Sequence, residues 1–188
     1  MYTKKLYVSG GSFHELQAVY EELPGIVDVR AGYINPANDN VSYETVCDGT
    51  IKAVMGICLE YNPKKIDVSS LLDILFSVAD PYSKAQQGPL IGPMYACGIF
   101  YSSMEDIPQI QLHLNFMANR GTPPAVDGST LTVNDPVGDQ KQRRQLHVQT
   151  EPLACFVEAE EVHQDFLKKN PNTDTYIDIK KFKECIRI

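Results

Sequence analysis

A glycine pair between a strand-like run and a helix-like run is the feature that most constrains this fold. Residues 5–8 are mainly apolar and lead to Gly10-Gly11, and apolar side chains then recur at helical spacing over residues 13–23. Two glycines allow the backbone to turn tightly and to approach a ligand closely. The pattern predicts a strand, a tight turn and a helix N-terminus, where free N–H groups and the helix dipole favour an anion or a thiolate.

Ser12 stands at the start of this predicted helix and has three interpretations. The local pattern favours a structural one, in which Ser12 caps the helix and Glu15 completes a capping box. In the second, the side chain at position 12 is functional and points out of the turn. The third pairs Ser12 with His14 as nucleophile and base, and it is disfavoured because residues two apart on a helix do not face each other.

Length and charge limit the classes of protein to which the chain can belong. The 188 residues, of which 43% are hydrophobic, predict a single domain over 1–188 with a sizeable core. A formal net charge of −7 argues against a nucleic-acid partner or an anionic membrane surface. No signal-peptide pattern and no apolar run of about 18 residues is present, so the expected compartment is the cytoplasm.

The cysteines predict free thiols rather than a disulfide framework or a metal centre. Their number is odd, no CxxC occurs, and no histidine lies at zinc spacing from any pair. We therefore expect no metal site and mostly buried thiols in a reducing compartment. The five are Cys47, Cys58, Cys97, Cys155 and Cys185.

The rest of the chain alternates between strand and helix patterns, which predicts an α+β fold with helices packed on a mixed sheet. A long loop is predicted at 80–93 and an exposed connection at 121–139. The predicted strands are 5–9, 26–33, 53–61, 95–101 and 146–153. The predicted helices are 13–23, 68–78 with Asp67 as its cap, 105–120 and 156–170, with one helical turn at 42–46.

Several short motifs, in order along residues 4–170, resemble those of the methionine sulfoxide reductase A (MsrA) family. Gly11-Ser12-Phe13-His14-Glu15 looks like that family's Gly-Cys-Phe-Trp-Gly signature. The resemblance implies an MsrA-like, ferredoxin-like α/β two-layer core with a mixed sheet flanked by helices. The other motifs are Leu23-Pro24-Gly25-Ile26-Val27, Gly32-Tyr33, Val41 through Gly49, Tyr61-Asn62-Pro63, Asp80-Pro81, Gln86-Gln87-Gly88, Gly92 through Tyr95, and Ala159 through Gln164.

The resemblance also implies a reaction, the reduction of methionine S-sulfoxide in peptides or as the free amino acid, which serves protein repair. That chemistry needs a thiolate at a helix N-terminus to attack the sulfoxide sulfur. It also needs an acid and hydroxyl donors for the oxygen, and an aromatic cage for the methyl group. The sulfenic acid is then resolved by a second thiol and by thioredoxin or another dithiol, so no bound cofactor is expected.

Part of this machinery carries over to the present sequence. Phe13 matches the first aromatic residue of the cage, and His14 replaces its tryptophan with a smaller and more polar ring. Tyr33 and Tyr95 match the two hydroxyl donors. These four residues predict a pocket that still accepts a methionine- or methionine-sulfoxide-like group.

The reactive groups do not carry over. Ser12 stands where the family has its nucleophilic cysteine, Met55 where it has a glutamate acid, and Leu90 where it has an aspartate. A serine hydroxyl is barely ionised near neutral pH and cannot form a sulfenic acid. Met55 removes the proton source, which His14 replaces at best in part.

Two hypotheses from different classes follow. The first is a family member with lost or strongly reduced reductase activity, a pseudoenzyme that retains a small-ligand pocket. The alternative is an active oxidoreductase that uses another cysteine, or a native cysteine mutated to Ser12, with thioredoxin as its partner. Further departures at the same site, at His14, Glu15, Met55 and Leu90, argue for natural divergence.

The remaining candidates have structural interpretations. We expect Cys58 and Cys97 to be buried and inert, and Cys47 to be structural. Without a nucleophile at position 12, Cys185 has nothing to resolve. His163 is predicted to pack and hydrogen-bond on a last helix. A hydrolase using Ser12 is a distant third function, because no carboxylate–histidine pair is recognisable nearby.

Overall fold

The computed structural model describes residues 2–119 and 145–186, apart from the side chains of residues 183, 185 and 186. The strands are β1 (Lys4–Ser9), β2 (Ile26–Ile34), β3 (Val54–Tyr61), β4 (Gln86–Gln87), β5 (Leu90–Ile91), β6 (Gly98–Tyr101), β7 (Gln149–Pro152) and β8 (Phe156–Glu158). The α-helices are α1 (Phe13–Tyr20), α2 (Tyr43–Cys47), α3 (Val68–Val78), α4 (Ile107–Ala118), α5 (Phe166–Lys169) and α6 (Ile179–Ile186). Short 3-10 turns lie at Pro93–Tyr95, Met104–Asp106 and Glu161–His163.

Six strands form one mixed sheet in the order β7-β6-β1-β3-β2-β8. Neighbouring strands are antiparallel except β6 and β7, which are parallel. Two connections, β1-α1-β2 and β3-α3-β6, each skip one strand position, and the strand that each skips belongs to the other unit. This interlocked pair of βαβ units is the ferredoxin-like arrangement, so the predicted α+β class and two-layer core are confirmed.

The alternation of side chains along β1 separates two apolar clusters. Leu6 and Val8 face the main core together with buried side chains of α1 and α3, whereas Tyr7 faces a smaller cluster on the other side of the sheet. The core between sheet and helices therefore fixes α1, and with it the turn at Gly10-Gly11, against the middle of the sheet.

Several elements match the sequence pattern closely. Strands β1, β2 and β3 lie within one or two residues of their predicted bounds, and α3 has its predicted bounds. The Asp67 carboxylate caps α3 by accepting a hydrogen bond from the Ser70 N–H at 2.7 Å. The single helical turn predicted at 42–46 is α2.

The prediction of one helix over 156–170 is wrong. Its first residues form β8, which pairs with the edge of β2, and a 3-10 turn follows at Glu161–His163. Asp165 then takes a left-handed conformation with φ of 52°, which interrupts helical geometry, so that only the four residues of α5 are α-helical. The apolar residues at the start of this segment therefore lie in a strand at the edge of the sheet and do not form one face of a helix.

Other bounds also differ from the prediction. Helix α1 ends at Tyr20 rather than at residue 23, and residues 80–93 contain the β4–β5 hairpin instead of only irregular loop. Strands β6 and β7 are shorter than predicted. A 3-10 turn occupies the residues just before β6, and only four residues of β7 pair with β6.

Some predictions fall outside the described residues. The connection predicted at 121–139, the last residue of the helix predicted at 105–120 and the thiol of Cys185 all lie there. Within the described part of the chain, no helix has the length and apolar character needed to cross a membrane.

Candidate functional site

The turn between β1 and α1 places Ser12 at the head of the helix. Gly11 adopts a φ of 93°, and its N–H donates to the Tyr95 carbonyl at 3.1 Å, which draws the 3-10 turn before β6 against this position. Ser12 is extended and half-buried, and its carbonyl accepts the Leu16 N–H. Its side chain makes no capping hydrogen bond, so the predicted capping box with Glu15 is wrong.

Aromatic rings surround the start of α1. Phe13 is fully buried, and its ring centroid lies 4.7 Å from that of His14 and 5.8 Å from that of Tyr33. Further rings complete the cluster, with His14 on Phe166 and Tyr43 on His163, each pair stacked at 4.3 Å. The Phe13 and His14 positions predicted to form a cage are thus part of a larger aromatic cluster.

His14 and His163 are joined by a hydrogen bond of 3.1 Å between Nε2 and Nδ1. Burial and, to a lesser extent, the neighbouring His163 lower the pKa of His14 to about 4. His14 is therefore a neutral imidazole near neutral pH and a poor general acid, so it does not replace a missing carboxylic acid. His163 packs and hydrogen-bonds as predicted, although it does so from a 3-10 turn rather than from a long helix.

Tyr33 is bound to Glu160. The Tyr33 hydroxyl donates to Glu160 Oε2 at 2.6 Å, and the Tyr43 N–H donates to Oε1 at 3.0 Å. Burial and this hydrogen bond raise the pKa of Tyr33. Partial burial opposes ionisation of Glu160, but the hydrogen bonds from Tyr33 and from the backbone outweigh it and lower the pKa of the carboxyl. An ionised Glu160 thus holds the Tyr33 hydroxyl in place.

Cys47, the last residue of α2, also belongs to this region. Its thiol is exposed and lies within electrostatic reach of the hydroxyls of Tyr33, Tyr43 and Tyr95. Burial and, to a lesser extent, the nearby Cys47 and Tyr95 raise the pKa of Tyr43 to about 12. Cys47 is predicted to be structural from sequence, and its position near these tyrosines is evident only in the structure.

Two apolar residues occupy the positions at which the family resemblance expects carboxylates. Met55 is buried in β3 and is the cross-strand partner of Tyr33. Leu90 is half-buried in β5, where its side chain comes close to Gly11, next to Ser12. Leu90 thus brings apolar surface next to Ser12, and Met55 lies beside Tyr33 in the sheet.

Ser12, Phe13 and His14 thus form the first turn of α1, Tyr33 lies against Phe13, and Leu90 and the Tyr95 backbone lie beside Gly11. Met55 is placed next to Tyr33 in the sheet, and the chemical roles of all seven residues remain predictions. Sequence reasoning missed Cys47, Tyr43, Glu160 and Phe166, although the first three lie inside motifs of the family resemblance. We refer to the seven residues as the Ser12 site: Ser12, Phe13, His14, Tyr33, Met55, Leu90 and Tyr95.

The other described thiols lie away from this site or deep in the core. Cys58 and Cys97 are buried as expected, and burial raises the pKa of both, that of Cys97 to about 12. Cys155 is exposed before β8. Among the described residues, no group of three His, Cys, Asp or Glu side chains is arranged to hold a metal ion.

Comparisons with known proteins agree with this architecture. The family described as "Peptide methionine sulfoxide reductase" matches residues 4–187. Peptide methionine sulfoxide reductase MsrA of Clostridium botulinum (strain Okra / Type B1) is 31% identical over 169 residues, which cover 89% of this chain and 94% of that protein. Reduced Mxr1 from Saccharomyces cerevisiae is 26% identical, with a TM-score of 0.75 over 92% of this chain and 88% of that one.

A further solved structure is that of Mxr1 from Saccharomyces cerevisiae in complex with Trx2. The structural match covers 87% of this chain and 84% of that chain, at 19% identity and a TM-score of 0.53. At this level of identity the similarity establishes the shared fold alone.

Proposed function

Because the chain belongs to the peptide methionine sulfoxide reductase family, we propose that it retains a pocket for a methionine- or methionine-sulfoxide-like group. We further propose that its thiol-dependent reductase activity is lost or strongly reduced. The observation that carries this proposal is the hydroxyl of Ser12 at the head of α1, beside Phe13 and the 3-10 turn of Tyr95.

The neighbouring residues support the same conclusion. An oxygen nucleophile cannot form the sulfenic acid on which the thiol cycle depends. Met55 and Leu90 offer no proton to a sulfoxide oxygen, and His14 is neutral. Aromatic and apolar surface still suits a thioether or its methyl group, because such groups bind through contact area.

A second candidate function rests on Cys47. The Cys47 thiol, which lies within electrostatic reach of Tyr33, Tyr43 and Tyr95, would attack the sulfoxide sulfur, taking up its oxygen as a sulfenic acid and releasing the thioether. A dithiol such as thioredoxin would then reduce the sulfenic acid to the thiol, with release of water and formation of a disulfide. The complex of Mxr1 with Trx2 supports thioredoxin as the reductant in this case.

A turnover assay on three proteins distinguishes the two candidate functions. The unchanged chain, Ser12→Cys and Cys47→Ser are each incubated with dabsylated methionine S-sulfoxide and dithiothreitol. We expect no turnover by the unchanged chain. Turnover by Ser12→Cys would assign the loss to Ser12 alone, whereas an inactive Ser12→Cys would assign it also to Met55, Leu90 and His14. Turnover by the unchanged chain that disappears in Cys47→Ser would establish the second candidate instead.

Binding is measured separately, by the shifts of backbone amide signals on adding methionine S-sulfoxide or methionine at millimolar concentration. We expect shifts at the first turn of α1 and at residues near Tyr33. An absence of shifts with both compounds would contradict the retained pocket, whatever the outcome of the turnover assay.

We place the protein in the cytoplasm as part of the same proposal. The four described cysteines are free thiols, two of them exposed. Exposed free thiols persist in a reducing compartment, where disulfides are rare.

A further inference from the structure

Glu15 has a role that neither the capping pattern nor the proposed function explains. It lies on the first turn of α1, three residues after Ser12, and only 8% of its surface is exposed. Its two carboxylate oxygens accept backbone N–H groups of the C-terminal chain, from Ile177 at 2.7 Å and from Tyr176 at 3.2 Å. A buried carboxylate requires such partners, and here two consecutive N–H groups of one segment supply them.

The same C-terminal segment, residues 173–178, which we call the strap, has a second anchor on the β4–β5 hairpin. The Tyr176 ring lies so close to Gly88 that a β-carbon at that glycine would overlap it. Next to Gly88 in this hairpin, Gln87 and Leu90 contact Gly11. The strap thus bridges α1 and the hairpin, the two elements that flank Ser12.

Part of the strap lies over open volume, although Ile177 packs against the main core. A cavity of about 730 Å³ lies between α1, α5 and the strap, and His14, Phe166 and Tyr176 are among its lining residues. Because open volume lies beneath residues 173–176, the hydrogen bonds to Glu15, together with the packing of Ile177, hold this part of the strap in position.

We infer, on the basis of the pocket proposed above, that Glu15 is a latch that fastens the strap along one side of the Ser12 site and thereby sets the size of the ligand that can enter. With the latch closed, the site admits a free amino acid or a group of similar size. When the two hydrogen bonds to Glu15 break, the strap swings away from α1 and the site admits the bulkier chain of a peptide or a protein.

Hydrogen exchange tests the latch directly. Glu15→Gln keeps the side-chain shape but leaves one acceptor oxygen in place of two. The control, Asp67→Asn, alters a carboxylate that also accepts a backbone N–H but caps the distant α3. We expect exchange of the Tyr176 and Ile177 amides to be about tenfold faster or more in Glu15→Gln and unchanged in the control. Equal protection in all three proteins would overturn the inference.

A second experiment measures access to position 12 without any natural ligand. Ser12→Cys is labelled with iodoacetamide and with a bulky polymer-linked maleimide, in the presence and absence of Glu15→Gln, and the modified peptide is quantified separately from Cys47 and Cys155. We expect the Glu15→Gln change to raise the ratio of the bulky to the small labelling rate several-fold. The ratio cancels any effect of the lost charge on thiol reactivity.

An unchanged ratio would overturn the size selection. Neither experiment requires that a methionine-like ligand bind, so failure of the latch and failure of the proposed function are distinguishable.

Discussion

His14 couples the stability of the fold to pH, because its surroundings hold it neutral. Burial lowers its pKa from 6.5 to about 4, with a smaller effect of His163. The unfolded chain takes up a proton at His14 as pH falls below about 6.5, whereas the folded chain does so only near pH 4. The free energy of unfolding is therefore expected to fall across this window, by about 2 kcal/mol after allowance for partial solvent exposure.

The measurement is denaturant unfolding at about pH 7 and about pH 4.5, compared between the unchanged chain and His14→Gln. The fall in stability should be smaller in His14→Gln. A control, His147→Gln, removes a histidine from another part of the fold. Equal pH dependence in the unchanged chain and His14→Gln would show that the pKa of His14 does not differ between the folded and unfolded states.

At the scale of elements, one buried amide attaches the segment after β8 to the sheet. Gln164 is 3% exposed, and its Nε2 donates to the carbonyls of Ala31 and Ala159. Its Oε1 accepts the N–H of Ala31 and the side-chain amide of Gln17. Every donor and acceptor of this side chain is used, in an environment without access to water.

Gln164→Glu is expected to destabilise the fold by about 2–4 kcal/mol, because a carboxylate oxygen would then face two carbonyl oxygens in a buried site. The free energy of unfolding, measured by denaturant titration, gives the effect. Gln111→Glu makes the same chemical change at an exposed position on α4 and should cost less than about 0.5 kcal/mol. Equal effects of the two changes would contradict the structural role of Gln164.

This attachment also explains which elements could be predicted. Helix α3 shows one apolar face and its own cap, so local pattern suffices to place it. The segment from Phe156 to Asn170 takes its shape from pairing with β2 and from Gln164, both of which are contacts with residues more than a hundred positions away. Local apolar spacing cannot report such contacts, and it predicted a helix there.

For the molecule as a whole, five of the six strands of the main sheet and the two helices α1 and α3 packed on it are predictable from sequence, and so is the region of the site. Ser12, Phe13 and His14 are consecutive at the turn that the glycine pair reveals. Glu160, in contrast, reaches Tyr33 from 127 positions along the chain, and its carboxylate has no local signal that would assign it to a tyrosine. Local sequence is therefore enough to locate the first turn of α1, whereas the residues that contact it from distant parts of the chain can be identified only from the tertiary structure.

The whole fold should also control the reactivity of its thiols. Cys97 has no exposed surface, and burial raises its pKa to about 12, so its alkylation requires that the sheet and helices separate. Cys47 and Cys155 are exposed and need no such opening. We expect a small alkylating reagent at neutral pH to modify Cys97 at least about a hundredfold more slowly than Cys155, with the difference vanishing in denaturant.

Peptide mapping by mass spectrometry gives each rate, and the denaturant dependence of Cys97 labelling should follow global unfolding measured by circular dichroism. Rapid labelling of Cys97 in the absence of denaturant would mean that the central part of the sheet opens locally, and that the core between the sheet and the helices is not one cooperative unit.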